Sequence, residues 1–507
     1  MRLFIFGIGG TGSRVLKSLI MLSAAGGKPL DKDGKPLHDF EIVPIIIDPH
    51  KSNEDLKRTE RLLADYRLIR RRLYGDATDA NGFFATKISL LSELMCDSSI
   101  QLADTPVCNL AAVEQSKFRE FISYNTMNEP NQALTSLLFA DYQLENKMRI
   151  GFVGSPNIGS VALNQIKDSD EFKAFANVFN QGDRIFFVSS IFGGTGAAGF
   201  PILVKNIRHA EKLDVSNKDI LRRAPIGALT VLPYFNIEHN EDSRINKADF
   251  VVKTQSALHY YNKTLTNDSR YAINALFYVG DQVISKPYNY DPGEKGQRNR
   301  AHLVELVGAM APLRFAGIDT SRMVDAAGYP LPSLAFEYGL DKDVQDVTFS
   351  AFGAETRRLL YKPLLKFHLF FLFLRTGLRS ALGRGFTEDA PRITTDFMAT
   401  EFYRVLDGQF MRAYSEWLIE MCDNRRSVHI FNIGDLDMNT TVAGVQTKKR
   451  SWPLGRATIS VDTFIDRMNK LSRDASKYVK GAEELKLFDL FDRAASTLVD
   501  EKYENIN

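Results

Sequence analysis

Two glycine-rich turns, far apart in the chain, each close an apolar strand and open a helix. The first is Gly7-Ile8-Gly9-Gly10-Thr11-Gly12-Ser13, after the apolar residues 1–6. The second is Gly193-Gly194-Thr195-Gly196-Ala197-Ala198-Gly199, after residues 185–190. Backbone N–H groups at a helix start lack intrahelical partners, and the helix dipole is positive there, so such turns suit bound anions. A third turn, Gly154-Ser155-Pro156-Asn157-Ile158-Gly159, lies between them. One strand–turn–helix of this kind recurs in many α/β proteins. Three in one chain create the expectation that several helix N-termini converge on one polyphosphate.

The segments around these turns alternate strands and helices, which predicts a mostly parallel sheet covered on both faces. Strands are expected at 1–6, 41–47, 148–153, 184–190, 225–232 and 275–279. Helices are expected at 14–25, 51–74, 160–178, 194–213, 245–265 and 299–315, with an exposed turn or short hairpin at 28–40. Residues 76–147 read as mixed and mainly helical. The basic run 67–73 reads as a solvated helix face. Beyond Gly317 the pattern changes to helices at 355–383, 395–423 and 462–505, with short strands at 427–433 and 457–461. A division near 317–330 is expected because Gly328-Tyr329-Pro330-Leu331-Pro332 breaks regular structure. It separates a nucleotide-binding domain, 1–317, from a helix-rich α+β domain, 318–507.

A chain of 507 residues is long enough for two or three domains. Its 44% hydrophobic content argues against disorder, and a net charge of +2 gives no bulk electrostatic case for nucleic acid. Cys96, Cys108 and Cys422 are widely spaced and odd in number. They indicate neither a disulfide framework nor a zinc site, and no metal-binding residues are expected. The opening residues run directly into the glycine turn, without the apolar core and cleavage site of a signal peptide. Residues 367–374, the most apolar run, are far short of a membrane span and read as a buried helix. A cytoplasmic protein is expected.

Glycines at 7, 9, 10 and 12 remove Cβ atoms where the backbone must bend or approach a ligand. Thr11 and Ser13 add hydroxyl donors, and Arg14 follows them. In the second turn Gly193, Gly194, Thr195 and Gly196 could bind a terminal phosphate or its metal-bound water. The third turn offers Ser155 and Asn157. Asp48 ends the strand at 41–47, where an acid commonly meets a ribose hydroxyl, although such a residue taken alone is more often a turn residue or helix cap. All of these fall on the carboxyl edge of a parallel sheet, the usual ligand edge.

The stretch from Ile185 to Gly199 resembles the signature loop of the tubulin/FtsZ superfamily of GTPases, whose core is Gly-Gly-Thr-Gly followed by small residues. Gly9-Gly10-Thr11-Gly12 resembles that family's first phosphate loop, Asp48 the acid of its second, and the turn 154–159 its third. His302-Leu303-Val304 through Leu313-Arg314-Phe315-Ala316-Gly317 is similar to tubulin's central helix and its exit. In character the chain is most similar to divergent bacterial tubulin-like proteins. The resemblance implies a Rossmann-like α/β domain that binds GTP or GDP with Mg²⁺. It also implies self-association, as a filament or a dimer, and hydrolysis that is slow until another subunit supplies an acid. Asp319 and Asp325 are the candidates for that acid.

Where tubulin's central helix carries a guanine-reading asparagine, this chain has Ala301. Asn299 lies two residues earlier, about 200° around a helix, so it can stand in only if the helix begins late. His302 and Glu305 lie near the expected base pocket, either as nucleotide contacts or as an ordinary helix pair. The segment after the helix lacks the family's Asn-x-Asp pattern, and the second half is more helical than the family's, which leaves room for a protein partner. Two other readings fit the first turn. One is an ATP-using adenylating enzyme of the ubiquitin-activating type, and the other is a dinucleotide-dependent oxidoreductase. Both leave Gly193–Gly199 unexplained. A tubulin-like scaffold without nucleotide turnover is the remaining alternative.

Overall fold

The computed structural model describes residues 1–95, 100–110, 113, 117–152, 155–234, 247–266, 273–281, 298–341, 343–424, 426–449, 456–473 and 482–503. Seven strands form one sheet: β1 (Arg2–Ile8), β2 (Glu41–Ile47), β3 (Lys87–Ile88), β4 (Arg184–Ser190), β5 (Ile226–Val231), β6 (Ala275–Val279) and β7 (Leu334–Tyr338). Their order is β3-β2-β1-β4-β5-β6-β7 and every neighbouring pair is parallel. β2, β4 and β5 are buried along their whole length, as strands covered on both faces must be. A small parallel pair, β8 (Asp346–Val347) and β9 (Ser427–Val428), stands apart.

Helices of eight or more residues are α1 (Gly9–Ala24), α2 (Glu54–Tyr74), α3 (Glu129–Leu138), α4 (Pro156–Leu163), α5 (Asp170–Val178), α6 (Gly194–Arg208), α7 (Lys247–Tyr261) and α8 (Leu303–Ala316). They continue with α9 (Ala354–Thr376), α10 (Met411–Cys422), α11 (Val461–Ser472) and α12 (Glu483–Lys502). α1 packs between α2 and α8, while α4 lies against α6. No described helix is long and apolar enough to cross a membrane.

The run 148–153 is not a strand where it is described. Met148–Ile150 is a single 3₁₀ turn, and Gly151 follows at φ +84°. β1 already has β2 on one side and β4 on the other, so the sheet centre has no free ladder for it. Met148 and Phe152 are buried all the same, which explains the strand-like apolar pattern. The expected strand at 457–461 is likewise absent, because Ser460 accepts from Thr463 N and starts α11 at Val461. At 427–433 only Ser427–Val428 is laddered.

β7 joins the sheet from beyond Gly317, adding an edge strand parallel to β6. The helices after it share the sheet domain's core. Phe83 stacks on Phe370 of α9 at 5.3 Å, and Phe84 meets Phe410 edge-on at 4.8 Å. Phe84 is held at φ +56°, a costly conformation for a bulky residue, and it is fully buried there. Residues 367–374 are indeed a buried stretch of helix, within α9.

Candidate functional site

The strand order reverses between β1 and β4, so the crevice beyond their carboxyl ends is the switch point where α/β sheets bind ligands. The two glycine turns leave these neighbouring strands, and they meet there. A Cβ placed on Gly9 would lie 3.4 Å from Thr195 Cβ and 3.9 Å from Gly196 N. Gly9 has φ +69°, a region that L side chains rarely adopt. Gly12 serves packing instead. A Cβ there would overlap the Gly7 carbonyl carbon and come within 3.1 Å of Val188 O, so α1 can press onto β1 and β4 only without it.

The third turn closes on the second. A Cβ on Gly159 would lie 2.8 Å from Gly194 O, and one on Gly151 would lie 3.9 Å from Thr195 Oγ1. Gly154 lies outside the described residues. Gln143 Nε2 donates to Ser155 Oγ and to Asn157 Oδ1, both at 3.2 Å, and so steadies this turn. Ser13 is buried, with its hydroxyl 3.5 Å from Gly9 O. Gly10, Thr11, Gly193 and Thr195 remain partly exposed.

Three other helix starts in this part of the chain are capped by side chains. Asn53 Oδ1 accepts from Asp55 N at the start of α2, Ser169 accepts from Phe172 N at α5, and His302 accepts from Val304 N at α8. Each of those helices also has acids in its first turn. The starts of α1, α4 and α6 have neither a side-chain cap nor an acid. Unpaired N–H groups aimed into a shared crevice, with no local negative charge to satisfy them, match the chemistry of a bound polyphosphate. The residues present therefore fit the anion that the turns imply.

Beside the first turn lies a buried charged cluster. Asp48 accepts from His50 N at 2.9 Å. Burial, helped by nearby Asp55 and opposed by the His50 N–H, pushes its carboxyl up to about 7. Arg14 points into the protein: its Nε lies 2.8 Å from Glu305 Oε1, with Asp55 at 4.0 Å. Asn299 is not helical, because α8 begins only at Leu303, and its Nδ2 donates to Asp55 Oδ2 at 2.8 Å. His302 packs on Tyr234 at 4.8 Å. Burial, with Arg14 and Arg426 nearby, lowers its pKa to about 3, so the imidazole stays neutral.

The two acids proposed for hydrolysis lie at the other edge of the sheet. Asp319 follows the exit of α8 and accepts from Ser321 N at 3.0 Å. Its neighbour Thr320 contacts Arg184, the first residue of β4, at 3.1 Å. Asp325 accepts from Ala327 N and Tyr329 N and shapes a turn. The length of α8, about 20 Å, separates these acids from the glycine turns. Of the cysteines, Cys108 is buried with its thiol pKa raised by that burial, and Cys422 donates to Val428 O. Cys96 lies outside the described residues.

Sequence pattern alone did not mark Asn53, Asp55, Gln143 or Gly151. Asn53 follows the Asp48-Pro49 strand end and precedes two acids, a helix-start signature that could have placed it. Gln143 and Gly151 carry no such signal.

No family model matches the chain, and no curated protein matches it in sequence. Among solved structures it is similar to CetZ2 from Haloferax volcanii, a GTPγS-bound protofilament. That match has 14% identity, covers 64% of this chain and 61% of the other, and has a TM-score of 0.28. It is also similar to CetZ from Methanosaeta thermophila, at 13% identity over 56% of this chain and 47% of the other, with a TM-score of 0.23. The chain thus spans less than two thirds of either structure's length, and the sheet order and loop geometry above stand without them.

Proposed function

We propose that this chain binds a guanine nucleotide across its three uncapped turns and uses it to gate self-association. The observation that carries the reading is the meeting of Gly9 with Thr195 and Gly196 at the switch point of the sheet. The N-terminal N–H groups of α1, α4 and α6 would bind phosphate oxygens, and Thr195 would donate its hydroxyl. Asp48 would accept from a ribose hydroxyl. Among the described residues no three acids, histidines or cysteines converge as metal ligands. Mg²⁺ would therefore be held mainly by phosphate oxygens and water. Asp319 and Asp325 sit too far from the turns to act within one copy, so hydrolysis would need a neighbour's acid at the cleft.

The test is to denature purified protein and identify the released nucleotide by chromatography, then to titrate the stripped protein with GTP, ATP and NAD. Release of GDP or GTP, with GTP the tightest ligand, is the expected result. AMP or ATP would instead support an adenylating enzyme, and NAD an oxidoreductase. Sedimentation with and without GTP should show nucleotide-dependent association. An unchanged sedimentation profile would overturn the gating of self-association by nucleotide.

A further inference from the structure

The stretch just before α8, where the guanine-reading asparagine of the resembling family is replaced by Ala301, is held from outside by the far end of the chain. Glu420, near the end of α10, accepts from Ala301 N at 3.1 Å through Oε2. The same oxygen takes Lys17 of α1 at 3.4 Å, while Oε1 pairs with Arg58 of α2. Asn424, just past α10, donates from Nδ2 to Ala301 O at 2.6 Å. Both backbone polar groups of Ala301 are therefore fixed by this one segment. Arg58 also donates to Asn299 O at 3.5 Å, next to the Asp55 carboxylate that holds the Asn299 amide.

We infer that Glu420 and Asn424 are positioning residues for the base side of the nucleotide cleft. This rests on the guanine-nucleotide reading above. Asp55 takes one of the two Nδ2 hydrogens of Asn299 and fixes the amide plane, and the amide oxygen can then accept an N–H from a purine edge. Its placement depends on residues 299–302, which have no helix of their own to hold them. The phosphate turns are anchored differently, by glycine contacts to β1 and β4. Burial works to raise the Glu420 carboxyl, but Lys17 and Arg58 outweigh it and hold it below the ordinary glutamate range. It is therefore ionised at neutral pH. Its charge joins α1 and α2, the helices whose N-termini border the cleft, to the helical half of the chain.

The arrangement separates two parts of one ligand. Calorimetric titration of wild type, Glu420→Gln and Asn424→Ala with GTP and with inorganic tripolyphosphate reads each part. GTP affinity is expected to fall about tenfold in both variants, while tripolyphosphate affinity stays within about twofold. Equal losses for the two ligands would mean a general structural role and overturn the inference, as would unchanged GTP affinity in both variants. If Glu420→Gln unfolds, Asn424→Ala, which leaves the charges in place, decides alone. Failure of wild type to bind GTP at all overturns the nucleotide reading itself. GTP binding that is indifferent to both substitutions overturns only the positioning role.

Discussion

Gly9, Gly12 and Thr195 sit within one crevice and do three different things. Thr195 offers a hydroxyl on a half-buried turn and holds nothing else up. Thr195→Ala should weaken GTP binding by about ten- to a hundredfold while shifting stability by no more than about 0.5 kcal/mol, readable by calorimetry beside chemical denaturation. Gly12→Ala should behave oppositely. The added methyl overlaps the Gly7 backbone, so unfolding should become easier by about 1–3 kcal/mol. Asp48 gives a pH signature. Its carboxyl titrates near 7 when folded and near 4 when unfolded, so between those values the folded state binds the extra proton. Stability should therefore fall as pH rises from about 4 to 7, and Asp48→Asn should flatten that slope in denaturation curves taken across the range. An unchanged slope would mean that another group sets it.

At the scale of elements, β2, β4 and β6 fall where apolar runs bounded by turn residues placed them: 41–47, 184–190 and 275–279. The misplaced strand at 148–153 shows the limit of such patterns. An apolar hexapeptide states that it will be buried, but only the pairing of β1 on both sides states that it cannot join the sheet. The late start of α8 is a similar case, since His302 caps the helix and leaves Asn299 outside it. His302→Ala removes that cap and should cost about 1 kcal/mol of stability in denaturant. The loss should be the same at pH 6 and pH 8, because the buried imidazole does not ionise there. The charged partners Glu305, Asp55 and Glu420 were invisible as a cluster in the sequence because they come from three distant segments.

At the scale of the molecule, the expected division near residue 317 can be put to a direct test. β7 lies beyond it, Trp417 Nε1 donates to Ser18 Oγ at 3.2 Å, and Phe83 and Phe84 insert among aromatics of α9, α12 and Phe410. We propose that residues 1–317 do not fold on their own. Expressed alone, that fragment should lack a cooperative melting transition, whereas a sharp transition would establish an independent domain. Phe84→Ala in the full chain should cost about 3–5 kcal/mol, measured by equilibrium unfolding, for the cavity left between the two halves.

Local chemistry along the chain was enough to announce the strands, the glycine turns and an anion-seeking edge. Alternation, apolar runs and missing Cβ atoms act over a few residues, where neighbours in sequence are neighbours in space. Which strands lie side by side, that Gly9 faces Thr195, that Arg14 turns to Glu305, and that Asp319 stands at the far edge were decided by folding alone. Those relations join segments that are distant in sequence, and only the closing of one sheet and one shared core sets where they stand to one another.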